Sequence, residues 1–238
     1  MTLVMLNNVD HHDLRVLLDR GAAWGDTANQ IAVLPTEFAA VARDFPIVLR
    51  KDASGAFEAI ALLGLDQGEN LFLDGDHWTT RHVPMLLARG PFSIGVHVRE
   101  NGEREPMVHV DLADPRVSRE RGVPLFQSHG GNSAVLDRMT DVLRALHIGH
   151  DVQAPMFAAF AEAGLIEPVR LEIQIDETLR YDLVDFYTIG AAALDNLGGA
   201  TLERLNRAGF LSLAFAVAGS IGNIERLIAL KRLKRGAA

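Results

Sequence analysis

Cysteine is absent from this chain, and with it go disulfides, thiolate nucleophiles, iron–sulfur clusters and thiolate-bound zinc. That fits a reducing compartment, and the expectation is a cytoplasmic protein. Positive charge is in deficit: 23 Lys and Arg against 31 Asp and Glu give a net charge of −8. An acidic surface repels a phosphate backbone, so nucleic acid is not an expected partner. Long apolar runs are also missing. The longest, residues 210–221, falls short of the about 20 residues that cross a bilayer and is broken by Ser212, Gly219 and Ser220. No membrane span is expected. The start, Met1 to Leu6 and then polar Asn7, has neither the basic opening nor the apolar run of about 7–15 residues of a secretory leader. Nucleotide and hydrolase signatures are lacking as well. There is no G-x-G-x-x-G, no G-x-x-x-x-G-K-[ST], no G-x-S-x-G elbow and no H-E-x-x-H.

What is present is ordinary globular material. The 238 residues are 48% hydrophobic and 23% charged, and a chain of this length buries roughly 70% of its unfolded surface. The first third alternates short apolar runs with turns. Residues 31–34 end at Pro35, and Thr36 with Glu37 opens a helical turn through Phe38 and Val41. Residues 45–49 and 57–65 are strands flanking the turn cluster Lys51-Asp52-Ala53-Ser54-Gly55. Residues 91–98 alternate as a strand, Asn101-Gly102 is the hairpin dipeptide, and residues 107–112 are the partner strand. Residues 113–131 are polar and turn-rich, a long surface loop.

Helices follow. Val135, Leu136, Met139, Val142, Leu143 and Leu146 line one helical face behind an N-cap at Asn132 or Ser133. Pro155 suits the first turn of a second helix and Gly164 its C-terminal cap. Val169, Leu171, Ile173 and Ile175 alternate with Arg170, Glu172, Gln174 and Asp176, a strand with one wet face, and residues 181–187 are its hairpin partner. Two or three helices fill residues 191–235. The fold class is α+β: an antiparallel sheet in the N-terminal and central part, with helices segregated mainly to the C-terminal half.

Candidate chemistry is sparse. His109 and Asp111 are two apart at a predicted strand end and so share a face, and His129 follows in the loop. Two histidines and a carboxylate are the ligand set of a non-haem Fe(II) site, so His109, Asp111 and His129 form the metal alternative. Without them no cofactor is implied. Trp78 follows the acidic turn Asp74-Gly75-Asp76-His77, and with His82 it is the candidate ligand contact; the competing role for Trp78 is a ring folded back onto the core. His147 and His150 flank Gly149, where they would complement a helix C-terminus. Lys231, Arg232, Lys234 and Arg235 follow an apolar stripe at the end of the chain. They offer either an anionic membrane contact or ordinary C-terminal helix cations.

Several ordered segments together resemble the SapC family of bacterial proteins. They are His11-His12-Asp13-Leu14-Arg15-Val16; Pro35-Thr36-Glu37-Phe38 through Asp44-Phe45-Pro46-Ile47-Val48; Gly64-Leu65 and Glu69-Asn70-Leu71-Phe72-Leu73-Asp74 with Trp78, Val83-Pro84 and Pro91-Phe92; Gly122-Val123-Pro124-Leu125-Phe126; and Gly209-Phe210-Leu211 to Gly222-Asn223-Ile224-Glu225-Arg226-Leu227. Departures are Phe45 where the family has Tyr, and His129-Gly130-Gly131 where it has an acidic turn. The resemblance implies a single SapC-like domain over residues 1–238, with a soft boundary within 113–131. It further implies a soluble accessory or binding protein with a protein partner, tied to surface-layer, other cell-surface or nutrient-uptake systems. The similarly named transporter permease is a different, membrane-embedded protein. No catalytic residue carries over from the family. The competing readings are an iron oxygenase-like enzyme at His109, Asp111 and His129, and a peripheral membrane adaptor through the basic C-terminal helix.

Overall fold

A computed structural model describes residues 2–98 and 104–236; Asn101-Gly102 lies outside the described residues. Every strand pairing among the described residues is antiparallel, and the larger helices lie in the C-terminal half, so the fold is α+β. The chain divides into two compact units, residues 2–20 with 85–147 and residues 21–84 with 148–236.

In the first unit Leu3–Met5, Arg104–Asp111 and Phe92–Val98 form a three-stranded sheet in that order. The stretch 113–131 is less loop-like than its composition predicts. Val117–Ser118 and Val123–Pro124 both pair with Arg15–Val16, and Leu125 is wholly buried. Turn residues therefore surround short β pairs that burial of Leu14, Val16 and Leu125 holds in place. Ser133 caps the following helix, its hydroxyl accepting the Leu136 amide at 3.3 Å. Leu136, Met139, Leu143 and Leu146 are the buried members of the predicted face.

That helix runs unbroken from Ala134 to Glu162, 29 residues with Pro155 inside it. The expectation of a new helix at Pro155 is corrected: the proline forgoes one backbone bond, and the turns on both sides keep theirs. His147 and His150 therefore sit in mid-helix, not at a C-terminus. Gly149 is a contact glycine, since a Cβ there would meet Leu34 Cβ and Thr36 Oγ at 2.7 Å. The helix ends at Gly164, as its sequence predicts. Gly164 has φ +66°, and the Leu165 amide reaches back to the Phe160 carbonyl at 3.0 Å.

The second unit is built on a five-stranded sheet ordered Ile166–Gln174, Arg180–Ile189, Ile47–Lys51, Phe57–Leu62, Gln30–Val33. Its outer hairpin keeps the predicted alternation: Leu171, Ile173 and Ile175 are buried and their neighbours exposed. The register slips between Val169 and Leu171, and opposite the slip Asp185 adopts φ +64°. The central strands do not alternate. Residues 47–49 and 59–63 are buried at successive positions, which requires cover on both faces. Phe157 of the long helix lies 6.0 Å from the Phe57 ring, and helix Phe210–Ser220 packs on Ile47–Lys51 and Arg180–Ile189. Ser220, wholly buried in that apolar helix, accepts the Ile47 amide at 2.9 Å and donates to the Val217 carbonyl at 2.7 Å. Among the described residues the C-terminal part holds four α-helices, Ala191–Asp195, Gly199–Arg207, Phe210–Ser220 and Ile224–Gly236.

Candidate functional site

A pocket of about 470 Å³ opens in the second unit, lined by Ala40, Arg43, Asp44, Thr79, Arg81 and His82. Two chain segments supply it. The first is the turn Pro35–Glu37 and the short helix Phe38–Val41, where Pro35 starts the turn and Phe38 and Val41 are anchored in the core. The second follows the two-residue hairpin Leu73–Asp74 with His77–Trp78. Its course is set by the Thr79 amide and hydroxyl, both donating to the Phe72 carbonyl at 2.8 and 3.1 Å, and by the Thr80 hydroxyl donating to the His82 carbonyl at 2.8 Å.

Glu37 is the inner anchor. Its side chain is fully buried, yet its Oε2 lies 2.8 Å from Nε2 of His82, whose side chain keeps 22% exposure. A buried carboxylate without a partner is costly, so the pair is held by mutual need. The contact between Nε2 and the carboxylate fixes the orientation of the imidazole ring at the pocket wall. Asp44 is taken by Arg226, whose guanidinium also lies 5.3 Å over the Phe72 ring. Arg43 and Arg81 are exposed, and neither side chain has an ion-pair or hydrogen-bond partner among the described residues. The wall thus presents two unneutralised guanidinium groups beside an oriented imidazole.

Of the two candidate ligand contacts, His82 lines this pocket and Trp78 does not. The indole Nε1 of Trp78 donates to Oδ2 of Asp26 at 3.0 Å, a carboxylate that also accepts the Gly21 amide at 2.9 Å and is 1% exposed. Its ring meets Phe45 edge-on at 6.3 Å, and Phe45 meets Phe72 at 4.6 Å. Trp78 is thus tied to Asp26 and packed on Phe45.

His109, Asp111 and His129 do not converge: among the described residues no three His, Asp or Glu side chains stand close enough to hold a metal. His109 Nδ1 lies 3.2 Å from the Met107 carbonyl, and its ring covers Gly95, where a Cβ would come within 2.2 Å. Asp111 uses Oδ1 to accept the amides of Thr2 at 2.6 Å and Ala113 at 3.1 Å, a strand-end turn role. His129 is exposed in the turn that the Gly130 amide closes onto the Gln127 carbonyl.

The basic cluster at the chain end is bound internally. Lys231 is 5% exposed, and its Nζ reaches Glu69 at 2.8 and 2.9 Å and Asp66 at 2.5 Å. Arg232 donates to the carbonyls of Ile175 at 2.7 Å and Gln174 at 3.2 Å. Lys234 lies 3.3 Å from Glu69 and Arg235 3.2 Å from Asp176. Burial opposes the charged amine of Lys231, but hydrogen bonds to Asp66 and Glu69 outweigh it and hold its pKa above the ordinary lysine value. The bond from Lys231 holds Asp66 low, and in Glu69 the same bond overcomes the upward push of burial. By length and composition the helical run Phe210–Gly236 could cross a bilayer, since its most apolar stretch has a mean hydropathy of 1.4. Ser220, Asn223, Arg226 and Lys231 along it each bond to the body of the unit.

The sequence reading missed Glu37, Arg43 and Arg81, which sit in no motif; their meeting with His82 is a product of packing. It also missed the buried Lys231. One signal was available there: Lys231 is one helical turn from Leu227, on the buried stripe.

A family model described as SapC matches residues 6–227 of the 238. No curated protein and no solved structure matches the chain.

Proposed function

Because the chain belongs to the SapC family, we propose that it is a soluble accessory or binding protein of a bacterial cell-surface or nutrient-uptake system, working in the cytoplasm beside a protein partner. The observation that carries the binding part is the pocket beside His82. Its volume falls in the range of small-molecule sites, about 300–1,000 Å³. Its imidazole is oriented in advance by a fully buried carboxylate, the preorganisation that lowers the entropic cost of binding. Binding suits the wall better than covalent catalysis, since the Thr79 hydroxyl is committed to the Phe72 carbonyl.

A thermal-shift panel of small metabolites on the purified chain tests this. A ligand at a hundred times its Kd adds about 2.7 kcal/mol to stability, which for a chain of this size raises Tm by roughly 5–10 °C. The expected result is at least one such shift that His82→Ala removes. If no compound stabilises the wild type, or if every shift survives in His82→Ala, this site is not the binding site.

A further inference from the structure

We propose, resting on the binding reading above, that the ligand of this pocket is a small organic anion whose carboxylate or phosphate end is gripped by Arg43 and Arg81. Most arginines in this unit are bound within the protein. Arg50 pairs with Glu58 at 2.7 Å, Arg226 with Asp44, and Arg232 and Arg235 with the outer hairpin. Arg43 and Arg81 line the same cavity, and neither guanidinium has a partner among the described residues.

The carboxylate within their reach does not substitute for a ligand. Asp44 lines the same wall, but its charge is taken by Arg226. Two cations therefore stand unneutralised in one concavity of a chain whose net charge is −8. The concavity concentrates that local positive field against the sign of the molecule as a whole.

The donor chemistry selects the ligand class. Guanidinium groups present planar forks that match carboxylate and phosphate oxygens two at a time. The Thr79 hydroxyl is occupied, and the imidazole Nε2 is held by Glu37. The arginines are thus the strong donors left for a ligand. At about 470 Å³ the pocket exceeds what a bare inorganic ion fills, so an organic body accompanies the charged end.

The test uses the full chain with Trp24→Phe, which leaves Trp78, next in sequence to the pocket-lining Thr79, as the fluorescent reporter. It is titrated with inorganic phosphate, with succinate and with uncharged succinamide. The expected result is a saturable change with phosphate or succinate, weakened about tenfold or more by either Arg43→Gln or Arg81→Gln and retained in part by Arg43→Lys. Tm values near that of the parent show that the variants fold. Saturation by phosphate alone assigns a phosphate-bearing ligand, and by succinate alone a carboxylate. If succinamide binds as tightly as succinate, if neither anion binds, or if both Gln variants bind unchanged, the anion assignment is overturned. The binding reading is then judged separately, since a neutral ligand lost in His82→Ala leaves it standing.

Discussion

Removing the Lys231 amine while keeping the bulk of the side chain, as in Lys231→Met, isolates the clamp that holds the last helix. Lys231 makes two contacts to Glu69, whose side chain is 9% exposed, and one to Asp66, whose side chain is 53% exposed. The Asp66 contact is screened by solvent and contributes little. The cost lies in Glu69, left charged in a buried site. Breaking a fully buried pair costs about 3–5 kcal/mol. Here Lys234 at 3.3 Å and the amides of Leu65 and Asp66, both at 3.4 Å, remain to Glu69. The expected loss is therefore smaller, about 2–3 kcal/mol. Urea unfolding of wild type, Lys231→Met, Glu69→Gln and the double variant reads it directly. The double variant should cost far less than the sum of the singles, with a coupling of at least about 1.5 kcal/mol.

The pH dependence of that clamp has a definite sign. Glu69 is held below its ordinary value of 4.5, so its contribution is present above pH 4.5 and is lost as pH falls through the lowered folded value. Lys231 is held above its ordinary value of 10.5, so its contribution is present below that pH and is lost only as pH rises beyond it. The stability difference between wild type and Lys231→Met should accordingly be largest near neutral pH and shrink as pH falls, because Glu69 loses the lowering bond in the variant and takes up a proton there before it does in wild type. A loss below about 0.5 kcal/mol, or additive single variants, would refute the reasoning.

Two further outcomes test the fold. Gly149→Ala should destabilise by about 1–3 kcal/mol in urea unfolding. The added Cβ meets Leu34 and Thr36 at 2.7 Å, a clash larger than the about 1 kcal/mol of helix propensity that alanine gains. At Asp185, φ +64° makes Asp185→Val cost about 1–3 kcal/mol while Asp185→Gly stays within about 0.5 kcal/mol of wild type; equal effects would show that the left-handed backbone there is not held by the bulge.

Much of the secondary structure was legible because it is local. The alternation of residues 169–175, the buried stripe from Leu136 to Leu146, the Ser133 cap and the Gly164 terminus all follow from backbone periodicity and from unpaired donors and acceptors at helix ends. The bond pattern of Asp52 in the turn of residues 51–55 is local too, its carboxylate accepting the amides of Ser54 at 2.8 Å and Ala56 at 3.0 Å. Pro155 misled for the same reason. Its local meaning is a helix start, and only the intact turns on either side carry the helix through it. Of the candidate site, His82 was legible as a residue and not as a partner of Glu37.

Composition and local pattern alone carried the absence of thiol chemistry, the α+β class, the position of the longer strands and the family. Tertiary structure decided which charges meet. Glu37 finds His82 across 45 residues, and Lys231 finds Glu69 across 162. Among the described residues, packing kept His109, Asp111 and His129 from forming a metal-holding group and left Arg43 and Arg81 without a counter-ion at the wall of a pocket. The physical reason is one of range. Periodicity and capping are settled by bonds within a few residues, whereas the partner of a buried charge is chosen by whichever distant segment the core brings within hydrogen-bond reach.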